Sequence, residues 1–589
     1  MKPRLVTFRN WMAGLFVTAA VTTSVIVAAP TPAMACGGFF CSNVPIEQSG
    51  EEILFTVEEN NITAYIKISY QGEAKDFAWV VPVASLPEIS VGSDSVFTRL
   101  GQVTQPVFNL NWDYGDGMCG FWAMDAAAGA GGGPESNEGE SYVNVLGQAQ
   151  VGPYDYAILE SNDAQALKAW LDENDFDQPD DAIPLIEHYL ENDMLFVALK
   201  LQQDKGTGDI RPLVLQFKEN SPCVPLILTR IAAQPDMPVR VYVLGEHRVV
   251  PSNWFHVELN LQKIDWLNYG SNYTQVVTQA VDEAAGHGFV TEFAGSSANM
   301  KNQLWQEGQF NFSSLNGMTD AGKFWAQMRD MLMGTSLAGS PDILELLRKF
   351  IPLPQSLAAQ GVTEQQFYNS PESYEAEYSK IPFSSDAFLA AVDENILDPL
   401  KAAQGWFDTF PYLTRMFTTV SPEEMTRDPL FAFHDELGDV PNVRTAEAVA
   451  QCAEDGTMTV TITLPDGTSY SVDWQGWGPV DNGPTVDESV PAAGAIELYG
   501  NDGLPRAVPH DFTQYVDQQL AVEVPVEEID IPAVPNNGNN NGNPIAGGAE
   551  TEPKKSSGCS VGSNSTSGGL WLVLMFVLGV LAVRRRNAI

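Results

Sequence analysis

The chain has 589 residues, 44% of them hydrophobic and 10% aromatic, so it can bury large cores and is not a disordered polymer. Its length allows roughly two to four domains. A formal charge of −44 at pH 7 argues against nucleic acid and anionic lipid as electrostatic partners, which need Lys and Arg patches, and it favours solubility.

The chain opens on a basic region of Lys2, Arg4 and Arg9, followed by an uncharged apolar run from Trp11 to Ala29. Ala33-Met34-Ala35 then puts small residues three and one positions before Cys36. This pattern predicts a secretory signal peptide over residues 1–35, removed by signal peptidase after Ala35. A retained N-terminal span explains the small residues less well. An acylated Cys36 is the other variant, but Ala33 stands where a lipoprotein signal carries Leu or Val.

Beyond Cys36 the pattern turns to strands. Ile53, Phe55 and Val57 alternate, Glu58 to Asn61 turn the chain, and Ile62, Ala64, Ile66, Ile68 and Tyr70 alternate back, a hairpin. Phe77–Val83 is an apolar strand ended by proline, and residues 126–133 form a Gly/Ala-rich flexible insertion or loop tip. Tyr154–Leu159 reads as a strand. A helix capped by Ser161 or Asn162 follows, with Ala164, Leu167, Trp170 and Leu171 on one face. Met194–Leu201, Leu213–Phe217, Leu226–Ile231, Val239–Leu244 and Trp254–Leu261 are further expected strands.

The middle is helical. Tyr273, Val276, Val277, Ala280, Val281 and Ala284 form an apolar stripe that stops at Gly286 and Gly288. Ser340 caps a helix with Pro341 at its first position and Ile343, Leu344, Leu347 and Phe350 as its buried face. Thr363 with Gln366, and Ser421 with Glu424, have capping-box spacing. Met458, Val460, Ile462 and Leu464, the Asp466-Gly467 turn, then Tyr470, Val472 and Trp474 form a second hairpin. The expected class is α+β: a β-rich N-terminal part with antiparallel or mixed sheets, a helical middle part and a C-terminal β-hairpin region.

From about Glu523 onward Pro, Asn, Gly and Ser dominate, which makes a flexible tether. The tail is Gly558-Cys559, a polar spacer, the apolar run Leu570–Val583, and Arg584-Arg585-Arg586. A helix over that run is about 21 Å long, short of the ~30 Å hydrocarbon core. The arginines belong on the cytoplasmic side, which leaves the body outside the inner membrane. The short span, with Cys559 before it and arginines after it, is better suited to a temporary stop than to a permanent anchor. Ala35, Cys36, Gly558 and Cys559 are therefore the expected processing or anchoring residues. Removing both ends takes away only positive charge and leaves the body more acidic.

No motif in the body carries a reaction. Gly317–Lys323 matches most of a P-loop, but Phe324 stands where Ser or Thr would hold magnesium, so Thr319 is read as a helix cap and no nucleotide is expected. His247 and His256 match no standard ligand spacing. His188 beside Glu187 has a surface or half-buried role in a helix, and His287 between two glycines belongs to a helix stop. Cys119 lacks an evident histidine base and is better read as a disulfide cysteine. The acidic runs Asp172–Asp181 and Asp113–Asp116 fail the EF-hand order; calcium is the one cofactor they leave open. Cys36, Cys41, Cys119 and Cys223 are candidates for disulfides, with connectivity undetermined. An enzyme would need a pocket joining groups distant in sequence, such as His247, His256 and the acidic residues of 264–269.

Several spaced segments share one resemblance. They are Ala35-Cys36-Gly37-Gly38-Phe39-Phe40-Cys41, then Gln48 to Phe55, Asp76–Val83, Tyr189–Leu201, Pro235–Val239, His256–Asn260, Ile264–Asn272, Leu413–Thr419 and Ser421–Thr426. In that order they resemble the bacterial family of unknown function DUF2330, over about Cys36 to Asn442. The resemblance implies an exported bacterial envelope protein and supplies no catalytic residues. The tail is similar to the MYXO-CTERM sorting domains of myxobacterial surface proteins, which implies a sorting protease acting near Cys559.

The organisation read from the sequence is a signal peptide at 1–35, a β-rich part at 36–265, a helical part at 266–442, a small β-rich region at 443–522, a linker at 523–558 and a sorting signal at 559–589 with its short span at 570–583. The expected function is an exported, surface-attached cell-envelope protein, outer-membrane or surface located after transient inner-membrane anchoring. It would be a binding or structural protein rather than a catalyst. The alternatives are an exported hydrolase with a dispersed site and a calcium-dependent adhesion protein.

Overall fold

The computed structural model describes residues 47–508 apart from residues 59, 72–76, 114–143, 175, 177–178, 203–209, 220, 305–309, 336, 453–457, 475–489 and 500–504. The expected signal peptide, Cys36, Cys41, Cys119, the Gly/Ala-rich stretch, and the expected linker and tail lie outside the described residues. Among the described residues no helix is long and apolar enough to cross a membrane.

The elements in chain order are β1 (Glu47–Glu58), β2 (Asn61–Gln71), β3 (Ala78–Val83), β4 (Glu88–Val91), α1 (Asp94–Thr104), β5 (Val107–Asp113), β6 (Asn144–Val151), β7 (Tyr154–Glu160), α2 (Ala164–Glu173), α3 (Ala182–Glu191), β8 (Leu195–Leu201), β9 (Leu213–Lys218), α4 (Leu226–Thr229), β10 (Met237–Gly245), β11 (Arg248–Pro251), β12 (Phe255–Leu259), α5 (Tyr273–Asp282) and β13 (Gly288–Ser296). A run of helices between Ala298 and Thr409 precedes β14 (Tyr412–Val420), β15 (Phe431–His434), β16 (Val443–Cys452), β17 (Met458–Thr463), β18 (Ser469–Trp474), β19 (Ala493–Tyr499) and β20 (Pro505–Ala507). This is an α+β protein.

A ten-stranded sheet in the order β20-β19-β12-β13-β14-β10-β1-β2-β9-β4 organises the body. Side chains along a strand alternate between faces. Ile53, Phe55, Ile62, Ala64, Ile66, Val239, Val241 and Val243 therefore share one face, where they bury against Trp79, Val81, Val197 and Leu199 of the smaller sheet β3-β8-β7-β6. Pro82 is tolerated in β3 because β3 is an edge strand. The outer face of that smaller sheet is covered by α2 and α3 through Leu167, Trp170, Leu171, Leu185 and Ile186.

The opposite face of the large sheet carries two cores. Leu54, Tyr242, Leu244, Phe293 and Leu413 pack on the helical run. Phe255, Val257, Val290 and Phe417 pack on α5 and on the sheet β18-β17-β16-β5.

Both expected hairpins form, as β1–β2 and β17–β18. Ser340 accepts from the Ile343 amide at 3.3 Å, and both capping boxes are present. Three local readings are corrected. Leu226–Ile231 is not a strand: it holds the short helix α4, because a brief apolar run has no periodicity to separate helix from strand. The α2 cap is Asp163, whose Oδ1 accepts from Ala166 N at 2.8 Å, while Ser161 Oγ accepts from Asp163 N. Asp320, not Thr319, caps the helix Ala321–Leu332 by accepting from Lys323 N at 3.0 Å.

The sequence segments interleave in space. β13 and β14 come from the helical stretch yet sit inside the large sheet. β16 pairs in parallel with β5, and β19 pairs antiparallel with β12. The Glu283 carboxylate, just past α5, accepts from the amides of Ala492 and Ala493 at 2.8 Å each and fastens the start of β19.

Candidate functional site

The two cores on the helical face of the large sheet are divided by a seam of polar side chains. Glu52, Lys67, Arg240, Tyr242 and Arg415 fall at alternate positions of β1, β2, β10 and β14 and share that face. Lys67 Nζ lies 3.3 Å from Glu52 and 3.5 Å from Asp94 of α1. The Arg240 guanidinium donates to the other Glu52 oxygen at 3.1 Å. Burial alone would raise the Glu52 carboxyl, but Lys67 and Arg240 outweigh it and hold it below its ordinary value.

Deeper in, Arg415 pairs with Glu292, and both side chains are almost completely buried. Glu292 is the extra residue of a bulge in β13, where Thr291 faces Met416 and Phe293 faces Arg415. Bulges re-aim a side chain in this way. Arg415 Nη1 also donates to the Gly101 carbonyl and to Thr104 Oγ1, both at 3.1 Å, and so ties α1 to the sheet. Four cations rest on aromatic rings along this strip: Lys67 on Phe97, Arg240 on Phe417, Arg415 on Tyr242 and Arg444 on Phe108. Burial pushes the Tyr242 phenol up to about 12. Burial, reinforced by Glu292, raises Tyr273 well above its ordinary value.

A second polar cluster lies further along the same sheet. His256 on β12 stands opposite Glu497 on β19. Its Nδ1 is 3.2 Å from Glu497 Oε2, and its Nε2 is 3.0 Å from Thr291 Oγ1. Arg248 Nη2 lies 3.4 Å from Nε2. A guanidinium only donates, so Nε2 is assigned as the acceptor and Nδ1–H as the donor to Glu497. Tyr499 OH donates to the same carboxylate oxygen at 3.1 Å. The hydrogen bond from His256 holds Glu497 below its ordinary value. Carboxylate, imidazole and hydroxyl follow one another as in a nucleophilic relay. His256 and Thr291 are, however, only 3% and 5% exposed.

The other sequence candidates go elsewhere. His247 is exposed in the turn before β11. Asp265 caps a short turn, accepting from Asn268 N at 3.2 Å and Asn268 Nδ2 at 2.7 Å. Neither takes part in the His256 cluster. His287 Nε2 is 3.0 Å from Thr426 Oγ1 beside the Trp254 ring. In the acidic run, Asp172 and Asp180 both pair with Lys168, and Phe176 is buried. A 490 Å³ cleft between α2 and α3 is lined by Glu160, Asp163, Glu187, Glu191 and Asp193, of which Asp163 is already engaged as a cap. Among the described residues no group of three or more His, Cys, Asp or Glu side chains is arranged to hold a metal ion. Cys223 is disulfide-bonded, to a partner outside the described side chains.

On the face of the smaller sheet, Glu51 is pushed up to about 7 by burial, with Asp428 adding to the effect and Gln48 opposing it. It borders a cavity of only about 10 Å³, lined also by Trp79 and Thr229.

Neither the seam nor the His256 cluster corresponds to a sequence motif. The available signal was a lone charge in an apolar strand: Glu292 is the only charged residue of β13, and Arg415 the only one of β14. A charge so placed is buried and must be paired.

No curated protein and no solved structure matches the chain. One family model, described as "Uncharacterized protein conserved in bacteria (DUF2330)", matches residues 30–431. That match contains most of the seam, as well as His256 and Thr291, but not Glu497, Tyr499 or Arg444. It covers more than half of the sequence, and the chain therefore belongs to the DUF2330 family.

Proposed function

We propose that the chain is an exported, surface-attached envelope protein whose folded body binds a ligand rather than converting one. The sequence supports the export part through the signal pattern ending at Ala35, the linker after residue 523, and the Gly558-Cys559, apolar-run and arginine order of the tail. One structural observation carries the binding part. Along the seam, several buried polar atoms have no hydrogen-bond partner among the described residues although they stand beside a fully paired ion pair. Buried polar groups are normally satisfied, and exceptions call for water, an ion or a ligand.

Intact mass of the protein recovered from membranes tests the export reading. The expected termini are Cys36 and a position near Cys559, with protease shaving of whole cells removing the body. A mass that still includes Arg586 would leave a plain tail anchor in place of a sorting signal.

A second reading, an exported hydrolase, is favoured by the Glu497–His256–Thr291 order. It requires turnover of an ester or amide substrate that disappears in both His256→Gln and Thr291→Val. A third, calcium-dependent adhesion, draws on the acidic cleft and requires a rise in melting temperature at millimolar calcium.

A further inference from the structure

The geometry points to an oxyanion-binding site in the seam, a deeper form of the binding reading above and resting on it. Three buried polar atoms there lack a hydrogen-bond partner among the described residues, Arg240 Nε, Arg444 Nη1 and the Tyr242 hydroxyl, and a fourth donor, the Tyr273 hydroxyl, has only the already paired Glu292 carboxylate beside it. The guanidinium groups can only donate. The two phenols stay protonated at neutral pH, because burial raises them both. The surplus is therefore one of donors, and the partner they lack must present acceptors.

The four groups gather around one place. Tyr242 is directly across the strand pair from Arg415, whose guanidinium lies 5.7 Å from its ring. Arg240 covers the Phe417 ring at 5.3 Å, and Tyr273 stacks on the same ring at 6.5 Å. Tyr273 also meets Phe108 at 5.6 Å, and Arg444 covers Phe108 at 5.8 Å. The Glu292 carboxylate acts electrostatically on Tyr242, Tyr273 and Arg240 together.

Charge selects the kind of acceptor. Lys67, Arg240, Arg415 and Arg444 stand against Glu52, Asp94 and Glu292, an excess of one positive charge in a chain of net −44. Guanidinium groups suit the planar and tetrahedral oxygens of carboxylate and phosphate. The aromatic rings exclude water on the flanks, which strengthens a charged hydrogen bond. The outer end of the seam is the part that meets solvent, where the side chains of Arg240, Lys67 and Glu52 are 29%, 25% and 22% exposed.

The test is thermal unfolding of the full chain in detergent at neutral pH and constant ionic strength. Sodium phosphate and sodium glucuronate are titrated against sodium chloride. The midpoint is expected to rise with phosphate or glucuronate and not with chloride; whichever acts separates a phosphate source from a carboxylate source. Tyr242→Phe removes one unmatched hydroxyl and keeps the ring, and Arg444→Gln removes the guanidinium together with its charge. Both should unfold near the wild-type midpoint without anion; Tyr242→Phe should need about tenfold more anion for the same rise, the factor that corresponds to one lost hydrogen bond, and Arg444→Gln at least as much. No rise with either anion, or identical titrations in wild type and both variants, overturns the site. A chain that is displayed correctly but gives no rise defeats the site alone. A chain that gives the rise but is not displayed defeats the export reading alone.

Discussion

The seam and the His256 cluster occupy the same ten-stranded sheet, and both bury charge, yet they are built differently. In the His256 cluster both imidazole nitrogens are engaged, and Glu497 accepts from both His256 and Tyr499. It joins β12, β13 and β19, strands from distant parts of the chain. In the seam a more deeply buried pair, Arg415 with Glu292, is flanked by donors that the protein leaves unmatched. The contrast is one of degree, since Arg248 Nε in the His256 cluster also has no partner among the described residues; the seam leaves more donors unmatched, and an unsaturated buried network is costly unless something else completes it. Burial alone does not separate a structural lock from a binding site, whereas the balance of donors and acceptors does.

The largest effect is expected at the centre of the seam. Arg415→Met leaves Glu292 buried and unpaired and should cost about 3–5 kcal/mol in urea unfolding. The double change Arg415→Met with Glu292→Leu should recover much of that loss, because two apolar side chains remove both desolvation penalties. A double variant as unstable as the single one would mean that Arg415 matters chiefly through its bonds to Gly101 and Thr104.

Glu51 sharpens the contrast from the other face of the sheet, since it is buried without a paired cation. Its folded value of about 7 lies above the ordinary 4.5. The stability it contributes is therefore fully present below about pH 4.5 and is lost as pH rises through about 7. Glu51→Gln should remove this dependence and stabilise the protein at pH 8 by on the order of 2–3 kcal/mol, with little change at pH 4. Parallel denaturation curves for wild type and variant across that range would refute the assignment.

The His256 cluster predicts a smaller, local effect. Glu497→Gln should cost about 1–2 kcal/mol, the loss of a charge-assisted hydrogen bond. Because Glu497 is depressed in the folded state, its contribution is present above its ordinary value and is lost as pH falls through the lower folded one. Hydrogen exchange at residues 493–499 should accelerate in the variant while β1 and β10 keep wild-type protection. Uniform acceleration across the sheet would make the cluster part of the global core. Smallest of all, Tyr242→Phe should change stability without anion by less than about 0.5 kcal/mol, because the hydroxyl it removes has no partner to lose among the described residues.

Much of the architecture was legible in local pattern. The β1–β2 and β17–β18 hairpins followed from strict alternation and turn residues, and the helix after Ser340 followed from its cap, its proline and its apolar face. These are short-range effects, decided by backbone preference and by one face seeking burial. The misreadings were local as well. Leu226–Ile231 lacks periodicity, and each misplaced cap lay beside a stronger acceptor, Asp163 or Asp320.

What the sequence determined by itself was therefore the identity of most elements, the acidity of the chain and the family to which it belongs. Which elements become neighbours was decided only by tertiary structure. Glu497 reaches His256 across 241 positions, Arg415 reaches Thr104 across 311, and Glu292 meets Arg415 because a bulge turns it there. Pairings at that range carry no local signature. They arise when two apolar cores close on the same sheet face, and the charged residues left between those cores must find each other, or a ligand, to escape the cost of burial.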